Sequence, residues 1–178
     1  MSTEPAIHPQ TTIGHVHLKV ADLDRAVKFY TEVMGFELMQ RMGNSAAFLS
    51  AGGYHHHLGL NTWESRNGQP PAPGTTGLYH FAILLPNRVE LARTLQRLID
   101  HNWPIDGASD HLVSEAIYLR DPDGNGIEIY RDRPRAEWPL LPNGQVAMVS
   151  DPLDLGNLLA ELNKERAVQT AALASSKG

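Results

Sequence analysis

Nine histidines and the absence of cysteine decide what metal chemistry this chain can offer. Without thiolates, disulfides are excluded and a metal must bind to His, Asp or Glu. His15 and His80 stand at matching places in two stretches of alternating apolar and polar residues, and Glu128 lies between two isoleucines. Because alternate side chains of a strand share a face, Glu128 points away from the core that those isoleucines favour. It is then either solvated or a ligand.

Two imidazoles and one carboxylate provide the three-ligand face that suits Fe(II), and the same set holds Mn, Ni or Zn. We therefore predict one divalent metal at His15, His80 and Glu128, although the ligand types alone do not choose among these ions. The alternative for each histidine is an ordinary solvated or hydrogen-bonded side chain, which is commoner for a strand histidine taken alone. The matching positions of the two histidines favour the metal site.

Three further residues are candidates for moving or holding protons. His56, in the run Tyr54-His55-His56-His57, can act as a general acid–base or a fourth ligand, and the alternative is a solvated strand end. Tyr118 either packs in the core or donates a hydrogen bond to a substrate. His111 and Tyr118 flank the last pair of strands.

The elements that must position these residues occur twice. In the first half, residues 13–20 alternate like a strand, and residues 22–34 have the three-to-four spacing of a helix with Asp22 as its cap. Three strand candidates follow at residues 36–41, 46–50 and 56–63. The second half repeats this order with a strand at 78–85, a helix at 89–102 and strand candidates at 104–110, 114–120 and 126–130. The sequence therefore predicts an internal repeat of two βαβββ halves.

The remaining segments suggest connections and an extension. Residues 65–77 are rich in Pro and Gly, which is typical of a linker or an active-site loop. Residues 152–166 favour a short amphipathic helix after Asp151, which is either docked on the surface or a lid or dimer contact. The last dozen residues are expected to be a mobile tail.

Composition excludes several kinds of partner. The net charge is -5 without a basic block, which argues against nucleic acid. The apolar runs are too short to span a membrane and the N-terminus lacks a hydrophobic signal region, so a cytoplasmic location is the default expectation.

Three segments in order resemble the vicinal oxygen chelate superfamily, which contains glyoxalase I, bleomycin-resistance proteins and extradiol dioxygenases. They are IGHVHLKVADLDRAVKFYTEVMGFEL, TGLYHFAILLP and YLRDPDGNGIEIYRDRP, and the likeness covers about residues 13–134. The segments GGYHHHLGLNTW and ASDHLVSEAIYLRDPDGNGIEIY are most similar to the catechol 2,3-dioxygenase branch. The resemblance implies an α+β fold in which two βαβββ modules form an open, cup-shaped mixed sheet around one metal, followed by a C-terminal helix.

The resemblance also implies domain boundaries and residue roles. Residues 1–134 would form the superfamily domain, with modules at about 13–64 and 77–134, and residues 135–178 a C-terminal extension. By position, His15, His80 and Glu128 correspond to the family's metal ligands. His56 corresponds to the acid–base histidine of the dioxygenases. The match is ambiguous by one residue, so His57 is the alternative. Tyr118 corresponds to a substrate-contacting tyrosine and His111 to a histidine behind the ligands.

The position at which glyoxalases place a fourth ligand falls at Gly59 here. The resemblance therefore favours extradiol cleavage of a small catecholic compound by O₂ at a three-ligand site. The alternatives are a glyoxalase-type metal-dependent lyase or isomerase and a non-enzymatic resistance protein that binds a small aromatic compound. Familiar extradiol enzymes carry an additional pair of modules. The identity of the substrate is therefore left open, and so is the oligomeric state, for which a homodimer is one possibility.

Overall fold

The computed structural model describes residues 7–175 and divides the chain into two compact units, one ending at Gln69 and the other beginning at Pro70. Residues 1–6, in the polar N-terminal segment, and residues 176–178, at the end of the expected tail, lie outside the described residues. Each unit contains one open sheet and at least one helix, as expected of an α+β fold.

The N-terminal unit has a four-stranded mixed sheet. Its strands, in chain order, are β1 (Val16–Lys19), β2 (Glu37–Met42), β3 (Ala46–Ser50) and β4 (Leu58–Asn61). Their order across the sheet is β1-β4-β3-β2, in which β1 runs parallel to β4 and the other pairs are antiparallel. One face of the sheet carries the buried side chains of Leu18, Leu49, Leu58 and Leu60. The opposite face is left for polar and aromatic side chains.

Helix α1 (Leu23–Lys28) supplies further buried residues in this unit and continues as a π-helical turn over Phe29–Val33. The side chain of Asp22 accepts a hydrogen bond from the Arg25 amide at 3.0 Å, which confirms the predicted N-cap. The predicted single helix is therefore confirmed in position, with a wider turn in its second half.

The C-terminal unit repeats this topology and extends it. Its strands are β5 (Phe81–Leu84), β6 (Ile105–Asp110), β7 (Ser114–Arg120), β8 (Gly126–Asp132) and a short β9 (Asp151–Pro152). The order across the sheet is β5-β8-β7-β6-β9, with β5 parallel to β8. The first four strands thus have the arrangement of the N-terminal sheet, and the predicted βαβββ repeat is confirmed. Strand β9 was not predicted.

Two helices of the C-terminal unit pack together. Helix α2 (Arg88–Asp100) is capped by Asn87, whose side chain accepts a hydrogen bond from the Glu90 amide at 3.0 Å. Helix α3 (Leu155–Ser175) contacts α2 and buries Leu158 and Leu162. The predicted helix at 152–166 was therefore wrong at both ends. Asp151 and Pro152 lie in β9 instead of capping the helix, whose first turn is bound by the side chain of Asp154, and the segment expected to be a tail is helical as far as Ser175.

Strand starts differ from the predictions where the candidate site residues lie. Strand β1 starts at Val16 and β5 at Phe81, so His15 and His80 each stand one residue before a strand instead of within it. Strand β4 starts at Leu58, which leaves His56 in the preceding loop. Both histidines predicted as ligands still occupy equivalent places in the two repeats.

Candidate functional site

His80 and Glu128 form the centre of the candidate site in the C-terminal unit. Strand β8 lies beside β5, with Glu128 opposite Ala82, and the Nε2 atom of His80 is 3.0 Å from Oε2 of Glu128. The flanking Ile127 and Ile129 are each 1% exposed on the other face, as the alternation predicted. The sheet therefore brings two of the three predicted ligands together.

The spacing of this pair fits a metal ion. Adjacent ligands about 2.1 Å from an octahedral ion are about 3 Å apart, which is the separation of the two atoms here. Without an ion, a contact of this length requires a proton on one of the two atoms. A metal ion bound here would replace that proton, because ligands bind in their deprotonated forms.

Tyr118 connects Glu128 to His111. In β7, Tyr118 lies opposite Glu128 and its hydroxyl donates a hydrogen bond to Oε1 at 3.1 Å. The same hydroxyl is 2.7 Å from Nε2 of His111, and Nδ1 of His111 is 2.6 Å from the carbonyl oxygen of Val149. Burial, followed by the charge of Glu128, raises the pKa of Tyr118 to about 12. Tyr118 is thus a neutral proton donor at neutral pH.

The partners of His111 determine where its protons lie. Since a carbonyl oxygen only accepts hydrogen bonds, Nδ1 of His111 carries a proton and donates a hydrogen bond to the carbonyl oxygen of Val149. Tyr118 has a single hydroxyl proton, and when it is given to Glu128 the contact with His111 requires a proton on Nε2 as well. Two hydrogen-bonding arrangements are therefore compatible with these contacts. In one, Tyr118 donates to Glu128 and Nε2 of His111 carries a proton; in the other, Tyr118 donates to Nε2 of His111, which carries none.

His15 and His56 come together in the N-terminal unit. Their ring centroids are 4.4 Å apart, and the ring of Phe48 lies 5.1 Å from that of His56. Nδ1 of His56 is 2.8 Å from Nδ1 of His55. Burial, and then the neighbouring His15, lower the pKa of His56. The ring of His56 therefore lies against that of the predicted ligand His15, and its lowered pKa keeps it neutral at neutral pH.

His57 is held differently from His56. Its Nδ1 accepts a hydrogen bond from the Ala51 amide at 3.3 Å and lies 3.1 Å from Oγ of the buried Ser50. These contacts attach the imidazole of His57 to the end of β3. Of the two histidines that the sequence left open, His56 has the surroundings expected of an acid–base.

Gly59 lies in a row of residues on the open face of the N-terminal sheet. It is paired with His17 on β1 and with Phe48 on β3. The rings of His17 and Phe48 meet edge to face over the glycine, with centroids 6.1 Å apart. A Cβ at this position would be 2.8 Å from Nδ1 of His17. A side chain at the position where a fourth ligand was looked for would therefore have to displace the ring of His17.

The predicted site residues are divided between the two units. His15 and His56 belong to the N-terminal unit, whereas His80, His111, Tyr118 and Glu128 belong to the C-terminal unit. Taken separately, neither unit places three or more His, Asp or Glu side chains as a metal cluster among residues 7–175. The complete set of His15, His80 and Glu128 stays a prediction.

Two features of the site were not predicted from the sequence. The first is the packing of the His17 ring against Phe48 and Trp63. Strand alternation had predicted only that His17 shares a face with His15. The second is the anchoring of His111 by Val149, which no local pattern indicates. Over the described part of the chain, no helix has the length and apolar composition to cross a membrane.

Comparison with known proteins identifies relatives over most of the chain. The family model of the Glyoxalase/Bleomycin resistance protein/Dioxygenase superfamily matches residues 12–129. The chain is 45% identical over 161 residues to Catechol-2,3-dioxygenase of Bacillus subtilis, a match that covers 90% of this chain and 55% of that protein. It is 27% identical to Biphenyl-2,3-diol 1,2-dioxygenase 3 of Rhodococcus globerulus, over 67% of this chain and 63% of that one.

Solved structures share the fold. The crystal structure of lactoylglutathione lyase from Agrobacterium tumefaciens matches with a TM-score of 0.55 and 25% identity, covering 70% of this chain and 96% of that one. This chain thus spans little more than half the length of the Bacillus relative but nearly the whole of the smaller lyase.

Proposed function

Because the chain belongs to the glyoxalase/bleomycin resistance protein/dioxygenase superfamily, we propose that it is a metal-dependent dioxygenase that cleaves the ring of a small catecholic compound in the extradiol manner. The observation that carries the proposal is the hydrogen-bonded line of Glu128, Tyr118 and His111 beside His80. Besides its metal ligands, ring cleavage needs groups that hold and move protons at the substrate. The 45% identity to a catechol-2,3-dioxygenase supports the same reaction.

The proposed metal ligands are His15, His80 and Glu128, with Fe(II) as the ion. When bound, the ion would gather the two substrate oxygens and O₂ and allow charge to pass between them. The pair of His80 and Glu128 supports this assignment by its spacing. The side chain of Glu128 is 16% exposed, and Tyr118 holds one of its oxygens in place while the other faces His80.

Tyr118 and His111 would serve the substrate side of the site. On substrate binding, the single hydroxyl proton of Tyr118 would turn from Glu128 to a substrate oxygen, and its raised pKa would keep that proton on the hydroxyl at neutral pH. His111 accepts or returns a proton at its Nε2 atom, while Val149 fixes the orientation of its ring. Tyr118 is therefore proposed as the catalytic contact and His111 as its positioning residue.

His56 is proposed as the acid–base. Its Nδ1 faces His55, which leaves Nε2 to take a proton from the substrate and return it later. Its lowered pKa keeps the ring neutral and ready to accept a proton near neutral pH. The ring of Phe48 packs edge to face against that of His56 and supports its position.

The glyoxalase-type alternative would use the same fold, and a lactoylglutathione lyase is among the similar structures. It would need another protein ligand or an equivalent group at Gly59, where the ring of His17 fills the space. This observation supports the open, three-ligand site of a dioxygenase.

The reaction is tested by loading the protein with Fe(II) under argon, then adding a panel of catechols and air. We expect O₂ uptake together with a yellow ring-opened product. Inactivity with every catechol, combined with turnover of a glutathione hemithioacetal, would replace the dioxygenase by the lyase.

His56→Phe separates proton transfer from metal binding. The variant should keep its metal and lose turnover by about 100-fold or more, the range for removal of a general acid–base. His101→Phe is the matched control, because His101 is the C-cap of helix α2 and its Nδ1 atom lies 2.9 Å from the carbonyl oxygen of Arg97. Normal turnover in His56→Phe would remove this histidine from the mechanism.

A further inference from the structure

A cavity of about 480 Å³ lies beside His80 and Tyr118 in the C-terminal unit. Two glycines form its floor: Gly126 lies opposite Arg120 in the β7–β8 pair, and Gly107 lies opposite Tyr118 in the β6–β7 pair. A Cβ at Gly126 would be 2.1 Å from the carbonyl oxygen of Tyr79. Gly126 is therefore bare because the backbone of the neighbouring segment approaches it too closely for any side chain, whereas a Cβ at Gly107 would meet no atom within 4 Å.

The two ends of this cavity differ in chemistry. His80 and Tyr118, with Glu128 behind them, stand at one end, where the proposed function places the diol of the substrate. Arg120 stands at the other end, two strands away from His80 across Gly126. With strands about 4.8 Å apart, the backbones of His80 and Arg120 are about 10 Å apart. That distance accommodates one aromatic ring with a short substituent.

The guanidinium of Arg120 is held in place with donors to spare. Its Nε atom is 2.9 Å from Oδ2 of Asp106, and its Nη1 atom donates a hydrogen bond to the carbonyl oxygen of Gly124 at 3.2 Å. A guanidinium has five N–H groups, so these two contacts leave at least three for a ligand. The side chain is 57% exposed, and Trp103 fixes its backbone by donating to the Arg120 carbonyl at 2.9 Å.

We propose that Arg120 is the specificity-determining residue of this site and that it binds an anionic substituent, a carboxylate, on the substrate ring. The inference rests on the proposed function, since it assigns the diol to the opposite end of the cavity. A guanidinium binds a carboxylate through two parallel N–H donors, which fixes the orientation of the ring as well as its affinity. Asp106 is already paired with Arg120, so its charge is balanced and it serves to aim the guanidinium.

The test compares three catechols that share a ring and differ in the charge of one substituent: 3,4-dihydroxyphenylacetate, its methyl ester, and 3,4-dihydroxyphenethylamine. Their dissociation constants are measured by calorimetry on the Fe(II)-loaded protein under argon, where no turnover occurs. We expect the carboxylate to bind about ten-fold or more tightly than the ester, as a charge-assisted hydrogen-bonded pair does. Arg120→Gln should abolish most of this preference.

Arg135→Gln is the matched control, because Arg135 is an exposed arginine of the same unit that stacks over Trp138. It should keep the preference for the carboxylate. Equal binding of acid and ester, tighter binding of the amine, or an unchanged preference in Arg120→Gln would overturn the inference. The binding readout is independent of ring cleavage. Selective binding without O₂ uptake would therefore remove the proposed reaction and leave Arg120 as an anion-binding residue.

Discussion

At the scale of single residues, the open face of the N-terminal sheet owes its shape to one missing side chain. His17, Gly59 and Phe48 are aligned by the register of three strands, and the two rings meet over the glycine. Any larger residue in the middle would have to displace His17, whose ring atoms are within about 3 Å of the position of a Cβ. The glycine therefore keeps His17 in place and denies the site a further ligand.

Gly59→Ala should destabilise the protein by about 1 kcal/mol, the lower end of the range for an overpacked site. The cost should fall toward zero when His17 is also changed to Ala, because the collision then disappears. Urea unfolding of both single variants and the double variant measures this coupling. Gly107→Ala serves as the control, since no atom lies within 4 Å of the Cβ it would add. Additive effects of Gly59→Ala and His17→Ala would show that the two residues do not interact.

Tyr118→Phe removes the one hydroxyl that joins Glu128 to His111. We expect the variant to retain its metal and to lose about 100-fold or more in turnover number, because the proton donor is gone while the ligands stay. Steady-state kinetics with a catechol should place the loss mainly in kcat. A normal kcat with a raised KM would reduce Tyr118 to a contact that only binds substrate.

The candidate residues could be found from the sequence because chemistry and repetition coincide there. His15 and His80 stand at equivalent positions, and Glu128 lies between two buried isoleucines. The partners that tune them could not be found in this way. His111 is anchored by Val149, 38 positions along the chain, and such a contact depends on the path of the segment between β8 and β9.

At the scale of elements, α3 is attached to the C-terminal unit by apolar and ionic contacts. Leu158 is fully buried, and Arg88 bridges Glu115 on β7 and Glu161 on α3 at 2.8 and 2.9 Å. Arg93 of α2 pairs with Glu165, which lies further along α3. The first half of α3 is therefore part of the folded unit and not an appendage.

Leu158→Ala should lower the free energy of unfolding by about 3 kcal/mol, because it leaves a cavity between α2 and α3. Val168→Ala, on the same helix but 68% exposed, should change it by no more than about 0.5 kcal/mol. Urea denaturation followed by circular dichroism provides both values. Equal effects of the two variants would mean that α3 is not docked through Leu158.

The elements were predictable to the extent that local pattern determines them. Alternation and helical spacing located β1 and both earlier helices, which have one apolar face. Strands such as β2, exposed throughout, and β4, buried throughout, were located by the turn-rich segments that separate them. Strand β9 escaped notice because two residues, Asp151 and Pro152, carry no periodicity and pair with β6 only through tertiary contact. The length of α3 was underestimated because residues beyond Arg166 lack an apolar stripe, although alanines there favour a helix.

At the scale of the whole molecule, the chain contains two copies of the same βαβββ topology. The first four strands of each sheet have the same order and the same parallel pair, so His15 and His80 are counterparts in the two units. We expect a bound metal to raise the free energy of unfolding, since a ligand that binds only the folded state stabilises it.

The measurement that tests this account most directly is the metal content of purified protein after Fe(II) loading and removal of excess ion. Wild-type protein should hold about one ion per chain, and His80→Ala should hold almost none, because a site reduced to two ligands loses most of its affinity. His101→Ala, which changes a histidine at the end of α2, should keep the full amount. Circular dichroism must show that each variant is folded. Retention of stoichiometric metal by folded His80→Ala would contradict the proposed centre of His15, His80 and Glu128.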